Sequence, residues 1–265
     1  MYDLNGKSIL VTGGASGIGF GCVREILRVG ARAATILDID EKGGKTAVEI
    51  LTREFGPNRL IFIKADVTKR DEFEDAFKKS LETWKSIDIL INNAAICNDS
   101  QWDHEIILNT HSVVQGTLLG LQYMGKDKGG KGGVIVNVSS IACFGGEAVM
   151  PVYTGTKHFV TGFSRSLGTS YHYNRTGVRI VVVCPGCTDT PLISQLHQSD
   201  TTFLFPQLKQ LYEKVAKSFI KQSVVKLAEG VVTCIRNGEN GSVWVSENDE
   251  PAYEIEIPER KSLQK

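Results

Sequence analysis

Tyr153 and Lys157 stand four residues apart in Tyr153-Thr154-Gly155-Thr156-Lys157, a stretch that follows Pro151 and reads as the start of a helix. Residues at i and i+4 share one helix face, so the phenol and the ammonium point to the same place. A phenol ionises near pH 10 in water. An ammonium about 4 Å away contributes about 4 kcal/mol at an effective dielectric of about 20. That is a lowering of roughly three in pKa, and a tyrosinate base comes within reach once further positive charge is added. A Tyr/Lys pair on a solvated helix face has the same spacing, so the pair alone does not define a site.

A second chemical feature lies at the other end of the chain. Thr12-Gly13-Gly14-Ala15-Ser16-Gly17-Ile18-Gly19 follows an apolar β-type run and opens a helical pattern. In that context one glycine permits a tight turn, one lets the backbone approach a pyrophosphate, and one lets the helix pack on the strand. The helix N-terminus then offers free N–H groups and partial positive charge to phosphates, with Gly13, Ser16, Gly17, Ile18 and Gly19 as the cofactor-binding residues. Asp38 ends the next β-type run, about 20 residues on, where a carboxylate meets an adenosine ribose. It accepts hydrogen bonds from both ribose hydroxyls and repels a 2′-phosphate, and Ser16 brings no cation to offset that. The expected cofactor is NAD rather than NADP. With oxidised nicotinamide as the extra positive charge, Tyr153 and Lys157 acquire a redox role.

The elements that must position these residues alternate. Strands are expected at Ser8–Thr12, Ala33–Asp38, Leu60–Asp66, Ile87–Asn92, Val134–Ser139, Arg179–Cys184 and Ser242–Val245, several of them almost wholly apolar and so covered on both faces. Helical patterns lie near 17–29, 41–55, 70–85, 103–124, 153–173 and 223–236. Such alternation implies right-handed crossovers and an α/β fold: a single Rossmann-type, doubly wound domain over residues 1–265, with about seven parallel strands flanked by helices. Residues 188–222 break the rhythm as an insertion after a strand's C-terminal end, where open sheets bind ligands. The tail 246–265 is charged, and its alternation at Tyr253–Ile257 fits either an edge strand or an arm.

Composition excludes other classes. Thirty Lys+Arg balance thirty Asp+Glu, without the basic excess that holds nucleic acid or anionic lipid. No apolar run approaches the ~18 residues of a membrane span, and no signal peptide is expected. Six scattered cysteines and the lack of a leader point to a reducing, cytoplasmic setting. Cys184-Pro185-Gly186-Cys187 has metal or redox spacing but no companion Cys/His pair, and the five histidines are dispersed, so no metal is expected.

The glycine motif, Asn92-Asn93-Ala94-Ala95, Ser140, Tyr153…Lys157 and Pro185-Gly186 occur in the order and spacing of the classical short-chain dehydrogenase/reductase family, which the chain resembles from residue 5 to about residue 245. Gly116–Met124 and Pro151-Val152-Tyr153 resemble the NAD-dependent 15-hydroxyprostaglandin dehydrogenases within it. Pro151–Lys157 and Asn240–Trp244 are similar to the insect alcohol dehydrogenases. The resemblance implies catalytic roles for Asn109, Ser140, Tyr153 and Lys157. Tyr153 would be the general base. Lys157 would lower its pKa and bind the nicotinamide ribose. Ser140, favoured over Ser139 by its spacing to Tyr153, would hydrogen-bond the reacting oxygen, and Asn109 would steady a helix and a water. It further implies adenine contacts from Asp66 and Val67, a cofactor floor of Asn93 and Ala94, and nicotinamide-side contacts from Pro185, Gly186, Thr188 and Thr190.

Some positions depart from those patterns. Ala95 stands where the family usually has glycine. Met150 and Cys187 replace a glutamine and a phenylalanine that line the prostaglandin enzymes' pocket. Ser140, Met150, Tyr153 and Cys187 are the expected substrate contacts, in a pocket made apolar by Met150, Cys187 and the Phe203/Phe205 segment. The expected reaction is hydride transfer between NAD and an apolar secondary alcohol, a hydroxy-lipid or prostanoid-like, or its ketone. The alternatives are a small-alcohol dehydrogenase and a silent binding or storage protein on the same fold. The apolar face of helix 153–173, with Phe159, Phe163 and Leu167, reads as core that also builds a homodimer or homotetramer.

Overall fold

The computed structural model describes residues 1–198, 201–258 and 260–264. Strand and helix alternate as β1 (Ser8–Thr12), α1 (Gly17–Arg28), β2 (Ala33–Asp38), α2 (Glu41–Phe55), β3 (Leu60–Lys64), α3 (Arg70–Trp84) and β4 (Ile89–Asn92). A helical stretch follows, made of α4 (Trp102–Ile106), a π-helical segment (Ile107–His111) and α5 (Ser112–Met124). The chain continues through β5 (Gly133–Val138), α6 (Pro151–Leu167), α7 (Ser170–Thr176), β6 (Val178–Pro185), α8 (Pro191–Gln198), α9 (Leu208–Val215), α10 (Val224–Asn237), β7 (Val243–Ser246) and β8 (Tyr253–Ile255).

The strands form one sheet in the order β3-β2-β1-β4-β5-β6-β7-β8. Seven are parallel, as expected. The eighth, β8, adds antiparallel to β7, which resolves the charged tail as an edge strand. Its three residues are mostly exposed, and Tyr253, Glu254 and Ile255 present the side-chain alternation seen in the sequence. Along the central strands successive side chains enter opposite cores. Ile9 and Val11 pack with Cys22, Ile26, Leu51 and Val231 under α1, α2 and α10, whereas Leu10, Leu90 and Ile135 pack with Phe73, Phe77 and Leu119 under α3 and α5. Burial on both faces explains the unbroken apolar strand sequences.

Strand order reverses between β1 and β4, so the C-terminal ends of β1, β4 and β5 open a crevice where the loops carrying the chemical residues meet. The insertion contributes α8 and α9 over this crevice. The helix expected at 153–173 ends at Leu167. Gly168 packs against Gly241 so closely that a Cβ there would lie 2.3 Å from the Gly241 Cα, and a separate helix, α7, follows. The expected core face of that helix is also corrected. Its buried side chains are Thr154, Thr156, Lys157, Val160, Thr161 and Ser164. Phe159 is 44 % exposed and stacks on Phe163 on the outer face. Among the described residues no helix is long and apolar enough to cross a membrane.

Candidate active site

The glycine loop between β1 and α1 is held by neighbours that leave no room for side chains. A Cβ on Gly13 would lie 2.9 Å from the Ala94 Cα, and one on Gly19 would lie 2.2 Å from the Gly13 carbonyl oxygen. Gly13 and Gly17 adopt positive φ, 63° and 52°, which favours glycine. Asn93 fastens the loop: its Nδ2 donates to the Thr12 and Gly13 carbonyls at 2.9 and 3.1 Å, and the Asn93 and Ala94 amides donate to Thr12 Oγ1. Asp38 reaches the same loop, its Oδ2 accepting from Ala15 N at 3.0 Å and its Oδ1 from Asp40 N. The bare backbone cradle at the N-terminus of α1, with a carboxylate beside it and no lining arginine, fits a dinucleotide without a 2′-phosphate.

Across the crevice, α6 carries Tyr153 and Lys157. Lys157 is buried, with Nζ 3.1 Å from the Val138 carbonyl and 5.4 Å from the Tyr153 ring centre. Burial pushes its ammonium down to about 8. Burial also dominates at Tyr153. It drives the phenol well above its ordinary value, with nearby Cys97 adding to the rise and the Ser140 hydroxyl opposing it by hydrogen bonding. In the chain by itself the net shift therefore runs opposite to the lowering expected from Lys157, because burial disfavours the charged phenolate. Ser139 and Ser140 both line the cavity, but the Ser139 Oγ is taken up by the Lys157 carbonyl and Thr161. Asn109 sits in the π-helical segment. Its Oδ1 accepts from Ile96 N at 3.0 Å, and its Nδ2 donates to the Ile96 carbonyl and to Thr156 Oγ1, tying the loop after β4 to α6. π segments recur at functional sites, and here one lies where two loops are joined.

A single cavity of about 560 Å³ connects these parts. Gly13, Ser16, Gly17, Ile18, Asp38, Asp66, Val67, Asn93, Ala94, Ser140, Met150, Tyr153, Lys157, Pro185, Gly186, Cys187, Thr188 and Thr190 all line it. Asn109 and Gly19 stand behind the wall, acting on backbone rather than on the space. Thr190 Oγ1 donates to the Thr188 carbonyl, and Gln222, absent from the sequence expectations, donates to Thr188 Oγ1 and the Ser246 carbonyl. The apolar wall is not built by Phe203 and Phe205. Phe203 is buried against Tyr212 outside the cavity and Phe205 is exposed, because the insertion turns Leu192, Ile193, Leu196, Tyr212 and Phe219 inward instead. Their helical spacing was legible, but which face meets the crevice was not. Cys184 lies 3.7 Å, sulfur to sulfur, from Cys143 rather than pairing with Cys187, and all six cysteines are free. Sequence reasoning also missed Asp99 and Glu105, two buried carboxyl groups behind Tyr153.

The chain is similar to known proteins. A family model for short chain dehydrogenases matches residues 7–201. Mouse (Mus musculus) 15-hydroxyprostaglandin dehydrogenase (NAD(+)) is 34% identical over 241 residues, 91% of this chain and 89% of that one. Alcohol dehydrogenase 2 of Ceratitis capitata is 31% identical over 246 residues, 92% of each. A short chain dehydrogenase/reductase from Burkholderia phymatum, solved in complex with NAD, superposes with a TM-score of 0.77 at 18% identity, covering 89% of this chain and 88% of that one. By the extent of the family match and the identity to these relatives, the chain belongs to the short-chain dehydrogenase family of oxidoreductases.

Proposed function

We propose that the protein is an NAD-dependent dehydrogenase that interconverts a neutral, apolar secondary alcohol and its ketone, with Tyr153 as general base, Lys157 and Ser140 as its partners, and Asn109 bracing them. The observation that carries this reading is the meeting of Tyr153, Ser140 and Lys157 in the same cavity as the glycine loop and Asp38. Asp38 would hold the adenosine ribose and the α1 N-terminus the pyrophosphate, with Thr188 and Thr190 at the other end. Oxidised nicotinamide, when bound, supplies a hydride acceptor and a positive charge. Ser140 orients the alcohol oxygen and Tyr153 takes its proton. Lys157, anchored on the Val138 carbonyl, keeps positive charge beside the phenol ring.

The cavity wall supports the choice of substrate class. Its basic residues are Lys157 and His104, while Glu147 adds negative charge near Met150 and the insertion contributes aliphatic and aromatic surface. A substrate carboxylate would find little basic lining to meet it, so an uncharged lipid-like alcohol is favoured over a free acid. A small-alcohol substrate would leave the Leu192–Leu196 wall unfilled. The exposed Phe159/Phe163 stack favours a homodimer.

The test is NADH formation over a panel of secondary alcohols of increasing chain length, each with and without a terminal carboxylate. Expected are kcat/KM values that rise with chain length and fall with the carboxylate. Tyr153→Phe should lower kcat by about a thousandfold or more with NAD binding intact. Turnover retained in that variant refutes the base, and NAD binding without turnover across the panel favours the silent binding protein.

A further inference from the structure

Helix α6 starts without a cap of its own. Met150 stands at the N-cap position and has no side-chain acceptor, and Pro151 follows it. The first free amides are taken from across the fold: Asp99 Oδ2 accepts from Val152 N at 2.8 Å and Oδ1 from Tyr153 N at 3.0 Å. Asp99 is buried. Beside it Glu105, on α4, is also buried, at 0% exposure. Its Oε1 accepts from Asn98 N at 3.0 Å, and its Oε2 meets no donor. Asp99, the residue after Asn98, faces the same carboxyl. Two buried acceptor-only carboxylates cannot bond each other, whereas a proton on Glu105 Oε2 would give that orphaned atom a partner in Asp99. Asn109, four residues after Glu105, grips Ile96 of the same loop, so this helical stretch holds the loop at two points.

We infer that Glu105 and Asp99 are positioning residues for Tyr153: protonated Glu105 donates its Oε2 hydrogen to Asp99, and the resulting proton-sharing pair fixes the first turn of α6 and the phenol it carries. This rests on Tyr153 being the base. The surroundings favour the protonated form. Burial pushes the Glu105 carboxyl up to about 8, and contact with Asp99 adds to the rise, against the Asn98 amide and Lys157. The groups facing it are Asp99 and Cys97 from the loop and Tyr153 and Lys157 from α6. Above that pH the pair becomes a dianion behind the phenol, and added negative charge makes the phenol harder to ionise.

Three variants test this through kcat and KM for alcohol oxidation from pH 6 to pH 10, together with infrared spectra. Glu105→Leu removes the donor to Asp99 and the acceptor for Asn98, and is expected to lower kcat about tenfold at pH 7 while KM for NAD stays within about twofold. Glu105→Gln keeps an N–H donor without titrating. It should restore most of that kcat, match the wild type below pH 8, and exceed it about threefold or more above pH 9. Asp99→Ala should lose kcat as Glu105→Leu does. The wild type should show the carbonyl stretch of a buried, protonated carboxylic acid at neutral pH, and Glu105→Gln should lack it. A Glu105→Leu enzyme with wild-type kcat, a Glu105→Gln profile superimposable on the wild type, or the absence of that stretch would overturn the inference. If Glu105→Leu does not fold, the Glu105→Gln profile and the infrared band still decide it. If no alcohol is oxidised the functional reading fails, while the band alone judges the pair.

Discussion

Lys157 sits where a lysine is expensive. Its side chain is 3% exposed and its ammonium makes one hydrogen bond, to the Val138 carbonyl at 3.1 Å. Burial lowers it from 10.5 to about 8, which at about 1.36 kcal/mol per pH unit is a cost of about 3 kcal/mol to the folded state at neutral pH. Methionine has a similar length and no charge. Lys157→Met therefore removes that cost and gives up a hydrogen bond worth about 1 kcal/mol, leaving a net gain of about 2 kcal/mol. For a chain of this size the gain is roughly 5 °C in Tm. The pH dependence follows from linkage. Below about 8 lysine is protonated in both states and the cost is complete. Between about 8 and 10.5 the folded state releases its proton first, so the wild type gains stability relative to the variant; above 10.5 the cost is gone. Thermal melts of the cofactor-free protein at pH 7 and pH 9.5 should show the advantage of Lys157→Met falling from about 2 to below about 1 kcal/mol. Its kcat should fall about a hundredfold or more. A variant less stable than wild type at pH 7, or an advantage that does not shrink with pH, refutes the reasoning.

Gly19→Ala drives a Cβ to 2.2 Å from the Gly13 carbonyl and must open the loop; melts and titration calorimetry should show a loss of about 1–3 kcal/mol in stability and weaker NAD binding. Asp38→Ser combined with Ile39→Arg replaces the carboxylate with a neutral residue and puts a cation at an exposed, cavity-lining position. A unit charge about 5 Å from Asp38 is worth about 3 kcal/mol at an effective dielectric of about 20, so the NADP-to-NAD ratio of kcat/KM should rise by about a hundredfold. Phe159→Glu places a charge in the exposed aromatic stack, and light scattering should show the proposed dimer giving way to monomer.

What the sequence revealed follows from locality. The strands were legible because both sheet faces are covered, so each strand core reads as a continuous apolar run. The glycine loop and the Tyr153/Lys157 pair were legible because turn geometry and helical spacing are decided within a few residues. Asp99 and Glu105 were not, because among Asn98, Asp103 and His104 they read as the solvated first turn of a helix. Their burial is decided by α6, more than forty residues on, whose missing cap Asp99 supplies. Tyr212 and Phe219 escaped for the same reason: the insertion's fold against the crevice selects them over Phe203 and Phe205. β8 was ambiguous because its edge position leaves it mostly exposed.

The groups that sequence reasoning missed change how those it found must work. Desolvation moves three ionisable side chains toward their uncharged forms: the Tyr153 phenol upward, the Lys157 ammonium downward and the Glu105 carboxyl upward. Groups this buried are poorly screened, so one positive charge bound in the cavity acts on the phenol far more strongly than it would in water. The burial that raises the Tyr153 phenol in the chain alone is thus also what lets a cationic partner switch it. A more exposed site would relax Lys157 and stabilise the fold, but it would blunt that response. The stability gained by Lys157→Met and the turnover it loses then have the same physical origin.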